Sequence, residues 1–329
     1  MSKGCAQDNW DSYVALMDVC DDTAVKVHDD CKAIFWYDGE FKYHLEGFNR
    51  LSAGHRRPLE FCLSFFSGFD GIVEEAISEL MTDLVQLKEQ KDLYGFHSMM
   101  EAIHGATYTR LIKALALDND HARRLQHGAR DSPAIMAQAD FLLNLAQKSC
   151  ELSRCEKLMA LACCECLFFC PLFAVIFYYN FKYQGSGFNF EDLDETNNLI
   201  SRDETIHYQT HIHFMKFYGG LPAETIENMI KTATDLALAS VDEMLQPIDG
   251  QTIEISLQSL KDYVMFQANR LSKLAGASVI YPVSINPLPW MVNIETHAKT
   301  NPFERDNMNY QSDIGTSIGV FSFNDCIDA

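Results

Sequence analysis

The pattern Glu-x-x-His occurs twice in this 329-residue chain, at Glu101-Ala-Ile-His104 and at Glu204-Thr-Ile-His207. Positions three apart on a helix share a face, so each motif aims a carboxylate oxygen and an imidazole nitrogen at one point. One such motif is weak evidence, because Glu and His meet at this spacing by chance and then face solvent. Two on separate helices say more. Two further carboxylates sit among apolar neighbours, Asp70 in SFFSGFDGIV and Glu165 in LACCECLFF. A buried, unpaired carboxylate costs several kcal/mol, so it must be protonated, paired or bound to a cation. Four carboxylates and two imidazoles from four helices match the ligand set of a two-metal carboxylate centre, and oxygen donors mixed with imidazole favour iron or manganese over zinc.

Tyr108 lies one turn beyond His104, on the face that carries the metal ligands. Phe169 and Phe173 follow Glu165 by four and eight residues, and Ile200 precedes Glu204 by four, so the three can wall the phenol off from water. A phenol held dry beside an oxidising metal pair can lose an electron and keep the resulting radical. The plainer readings are a local cap or ion pair for Asp70, a neutral Glu165, and ordinary core for the three apolar residues. Cys163, Cys164 and Cys166 read as core filling, since free cysteine behaves as a small hydrophobe. His211 and His213 extend the second motif but fall partly off its face, as surface groups or groups behind the ligands.

The elements that must position these residues are helical. Pro58 can open a helix through FCLSFFSGFDGIVEEAISELMTDLVQL, and a second follows from about Asp92 with Leu93, Phe96, Met100, Ile103, Thr107 and Leu111 on one face. Ser132 is placed to cap a third, with Pro133 at its first position. The run Leu158–Tyr179 has 22 residues and one ionisable group, Glu165, and by length alone could span a membrane. Its proline and thiols, and its being the only such run, favour a buried central helix. After a loop spelled YQGSGFNFEDLDE, a fifth helix runs through LISRDETIHYQTHIHFMKF. Leu221-Pro222 opens a sixth, and a seventh ends at Gly276. Strand-period runs are scarce. The expected architecture is all-α, a ferritin-like bundle over residues 1–300 with about the first 25 loosely ordered, followed by a polar, acidic, mobile tail over 301–329.

Composition narrows the function. Forty-six acidic against 26 basic residues give a formal charge of −20, which disfavours nucleic acid as a partner. Eleven unevenly spaced cysteines and the absence of a signal sequence at MSKGCAQDNWDSY suit reduced thiols in the cytoplasm, with no membrane association.

With these residues in hand, the chain resembles the small, radical-generating subunit of class I ribonucleotide reductase, in its eukaryotic and large-DNA-virus form. FWYDGEF, SFFSGFDGIV, YGFHSMMEAIHGATYTRLI, the ECLFF region, LISRDETIH and KTNPFERDNMNYQ carry the resemblance from about residue 34 onward. It implies two iron ions per chain, with manganese as the other candidate, one held by Asp70, Glu101 and His104 and the other by Glu165, Glu204 and His207. It further implies that dioxygen chemistry at this centre oxidises Tyr108 to a tyrosyl radical, which passes through His104, Asp203, Trp36 and Tyr310 to a separate large subunit that reduces ribonucleoside diphosphates. The small subunit is expected to be a homodimer and to dock through its C-terminal tail, where Phe321 and Phe323 are candidate anchors.

Four features depart from the family pattern. The chain ends in Ala329 where a terminal Phe is common, His97 stands where the YGFQ pattern has Gln, Pro171 falls in a locally distorted turn that it could sustain, and Glu165 to Glu204 spans 39 residues, about five more than expected. Two other functions use the same residues: a ferroxidase or oxygenase of the ferritin-like class, and a non-catalytic accessory small subunit that holds no radical.

Overall fold

The computed structural model describes residues 19–43, 47–146 and 150–291. Among these the secondary structure is helical, without strands apart from one isolated bridge between Ile248 and Gln251. The helices are α1 (Asp22–Ala33), α2 (Ala53–Leu84), α3 (Lys88–Leu115), α4 (Asn119–His127), α5 (Pro133–Ala146), α6 (Arg154–Cys163), α7 (Cys170–Tyr183), α8 (Glu191–Phe217), α9 (Ala223–Met244) and α10 (Leu257–Ala275). The central four-helix arrangement is α2 beside α3 and α6–α7 beside α8, with α5, α9 and α10 outside it and α1 laid along α3. This is the all-α bundle expected.

The 32-residue α2 shows why the bundle closes. Leu59, Cys62, Leu63, Phe66, Phe69, Val73 and Ile77 recur at three- and four-residue spacing and are all buried, and full burial of each large apolar side chain contributes about 1.5–3 kcal/mol. Pro58 does not open this helix. The chain turns helical at Ala53, after an extended Ser52 whose carbonyl accepts from the amides of His55 and Arg56, and Pro58 lies inside the helix. Ser132 caps α5 as its position suggested, its Oγ accepting from the Ile135 amide at 3.1 Å. The α8 start also differs from expectation, since Glu191, Asp192 and Asp194, assigned to the preceding loop, form its first turn. Acidic groups there meet the positive end of the helix dipole.

Between α6 and α7 the backbone widens into a π turn over Cys164–Phe168. Pro171 has no amide proton to return to the Leu167 carbonyl, so the regular ladder breaks there. The Cys170 thiol donates to that carbonyl instead, at 3.6 Å. Arg154–Tyr183 is long and apolar enough to cross a bilayer, but 94% of its most apolar window is buried inside the protein, the mark of a core helix.

Candidate metal centre

Asp70 comes from α2, Glu101 and His104 from α3, Glu165 from the π turn, and Glu204 and His207 from α8. All six are buried, with at most 5% of any one exposed. The ligand atoms of Glu101, His104 and Glu204 lie within 4.8 Å of one another, and those of His97, Glu101, Glu165 and His207 form a second such group. Glu101 belongs to both. His104 Nδ1 lies 2.9 Å from Glu204 Oε1, and His207 Nδ1 lies 2.8 Å from Glu101 Oε1 and 3.4 Å from Glu204 Oε2. Asp70 stands beside these groups but in neither.

Both oxygens of Asp70, Glu165 and Glu204, Oε2 of Glu101, and Nδ1 of His104 and His207 are buried without a hydrogen-bond partner. So many orphaned groups in one place would be costly unless a cation satisfied them. Their lone pairs converge, and the donor set of carboxylate oxygen and imidazole nitrogen suits two hard, first-row divalent ions. Burial and the neighbouring Glu101 carboxylate push Asp70 well above the usual carboxylate range. Against its burial, Glu101 is held well below that range by the adjoining imidazoles of His104, His207 and His97. His207, despite burial, is raised to about 10 by Glu204 and Glu101.

Tyr108 is fully buried on α3 and its hydroxyl donates to Asn197 Oδ1 at 2.8 Å. Asn197 is fixed in turn, since its Nδ2 donates to the Leu193 carbonyl at 2.8 Å. Phe66 stacks flat on the Tyr108 ring, 4.6 Å between centroids and 6° between planes. Phe169 and Phe173 pack against Phe66, with ring centroids 5.2 and 5.0 Å away, and Ile200 is buried on α8. Burial, then the Asp70 charge, raises the phenol well above its ordinary value, so Tyr108 is neutral.

Trp36 is buried and its Nε1 donates to Asp203 Oδ2 at 2.7 Å, while the same oxygen lies 3.4 Å from His104 Nε2. The Trp36 and His104 rings stack at 5.8 Å and 18°. Arg202 binds the other Asp203 oxygen at 2.9 Å, and its charge helps to hold that carboxylate down to about 2 against burial. Tyr310 and the tail from 301 onward lie outside the described residues.

Sequence reasoning passed over several of these partners. Phe66 and Asn197 were signalled only by position, four residues before Asp70 and seven before Glu204. Of the two readings open for His211, a surface group or one behind the ligands, the structure takes the second: it is fully buried, with Nε2 3.1 Å from Glu165 Oε2 and Nδ1 2.7 Å from the Tyr94 hydroxyl. His213 is half-buried against Asp21, the N-cap of α1, at 2.9 Å. The described cysteines are all free thiols, and burial pushes Cys163 and Cys164 well up and Cys166 to about 12, as core filling requires.

Comparison with known proteins follows the same line. A sequence model of the family described as ribonucleotide reductase, small chain, matches residues 14–287. The ribonucleoside-diphosphate reductase small chain of Plasmodium falciparum is 30% identical over 283 residues, covering 85% of this chain and 78% of that protein. The small chain of Vaccinia virus is 29% identical over 297 residues, covering 89% and 88%. Among solved structures, the ribonucleotide reductase Rnr4 homodimer of Saccharomyces cerevisiae superposes with a TM-score of 0.73 at 19% identity, over 91% of this chain and 90% of that one.

Proposed function

Since the chain belongs to the ribonucleotide reductase small-chain family, we propose that it is the radical-generating partner of a separate large subunit that reduces ribonucleoside diphosphates, with Tyr108 as the residue oxidised. Asp70, Glu101 and His104 would hold one iron and Glu165, Glu204 and His207 the other, with manganese as the alternative metal. Held there, such a pair would supply dioxygen-dependent one-electron oxidation beside the phenol.

The chain's own residues do the rest. Phe66 and the aromatic shell beyond it exclude water from Tyr108, so the radical meets no solvent reductant. Asn197 Oδ1 accepts the phenolic proton's hydrogen bond and fixes the ring's position. Asp203 holds a proton on His104 Nε2, which leaves Nδ1 free to face the carboxylates and fixes the ring. The contacts from His104 through Asp203 to Trp36 support a route for the oxidising equivalent from the centre toward the surface, with Tyr310 and the 301–329 tail completing it at the large subunit. A homodimer in the cytoplasm fits this role.

The observation that carries the reading is the convergence of orphaned carboxylates and imidazoles from four elements beside a sealed phenol. Full-length protein given ferrous iron and dioxygen should hold two irons per chain and show a tyrosyl doublet by electron paramagnetic resonance, absent in Tyr108→Phe. Metal without a radical would point to a ferroxidase or oxygenase; neither metal nor radical would point to an accessory subunit.

A further inference from the structure

We infer that His97 is a third imidazole ligand of the metal centre, bound through Nε2 to the ion that Glu165 and His207 would hold, with Glu101 facing the same space; this rests on the two-metal reading of the site and adds to it. His97 lies on α3, four residues before Glu101 and seven before His104, so one helical face carries all three. Its Nε2 is 3.0 Å from Glu101 Oε1 and 3.2 Å from Glu165 Oε1, between carboxylates from two different elements. Its ring lies face to face with that of His207, 3.5 Å between centroids and 23° between planes. Nε2 of His97 and Nδ1 of His207 thus open on the same carboxylate-lined space.

The alternative is that His97 serves as a hydrogen-bond donor alone. Position favours the ligand, because His97 Nε2 faces carboxylate oxygens from both Glu101 and Glu165 and lies with them and the His207 ligand atom within 4.8 Å, close enough for one ion to meet all four. His211 is not equivalent. It reaches the other oxygen of Glu165 from behind and is tied at its far nitrogen to Tyr94, so it orients the carboxylate and leaves the inner position to His97. With Nε2 on the metal, the His97 ring proton resides on Nδ1, which has no hydrogen-bond partner.

That proton is the readout. Full-length protein loaded anaerobically with cobalt(II) should bind two ions per chain and show three hyperfine-shifted, solvent-exchangeable imidazole N–H resonances by proton NMR, from His97, His104 and His207. In His97→Ala and His97→Gln the count should fall to two, and one of the two cobalt ions should bind at least tenfold more weakly. Should the alanine variant fail to fold, the glutamine variant and the parent spectrum decide. Two cobalt ions with only two such resonances in the parent would overturn the role of His97 and leave the two-metal reading intact. Failure to bind cobalt at all would overturn both.

Discussion

Glu204 shows how much one side chain carries at the centre. Its two oxygens face His104 at 2.9 Å and His207 at 3.4 Å, so it ties both Glu-x-x-His motifs together. Glu204→Ala should reduce bound iron from two per chain to one or none and abolish the tyrosyl signal, read by metal analysis and electron paramagnetic resonance; a full complement of iron in the variant would refute the ligand assignment. At this scale the sequence was informative where spacing alone determines direction. Glu101 with His104, and Glu204 with His207, need only a helix to converge, and Tyr108 follows by one turn. His97, Asn197 and His211 were harder to read, because a polar side chain on a helix faces solvent unless another element covers it. What covers these three is, respectively, Glu165 of the π turn, Tyr108 of α3 and Tyr94 of α3, all distant in sequence.

Among the elements, the long helices with wide apolar stripes were legible and the short, polar ones were not. In α1 only Ala24, Val27 and Cys31 are buried, and in α4 only His121 and Leu125, too few to stand out before the surface that buries them is known. The start of α2 was missed for another reason, since Pro58 is a strong signal for a first turn yet here sits within the helix. The first turn of α8 offers a test of electrostatics. Burial raises Asp194 to about 6, from 3.8, over the opposing hydrogen bonds of Asn180 and Asn198. Because the native value exceeds the unfolded one, its contribution to stability is fully present below about pH 4 and is lost as the pH rises through about 6. Asp194→Asn should therefore match the parent near pH 4 and exceed it by about 2 kcal/mol at pH 7, measured by urea unfolding across the pH range. An equal difference at both pH values would show that the effect is not one of ionisation.

For the molecule as a whole, the formal net charge of −20 includes the carboxylates gathered in the buried centre, so acidic groups are divided between a surface that repels other anions and an interior cluster that a cation would satisfy. The proposed division between bundle and tail predicts that removing residues 319–329 leaves iron content and the tyrosyl doublet unchanged while abolishing turnover with the large subunit. Undiminished turnover would rule out the docking role of GVFSFNDCIDA. The π turn has a consequence on the same scale. Each residue of an α-helix advances the chain by about 100°, so the wide turn, which itself presents Glu165, works as a phase shift between α6 and the half that presents Phe173. Loss of a single residue there would swivel one half against the other, parting the ligand from the aromatic shell. A reading of this chain's relatives should therefore treat an insertion or deletion at Cys164–Phe168 as a change of architecture, however small it looks in an alignment.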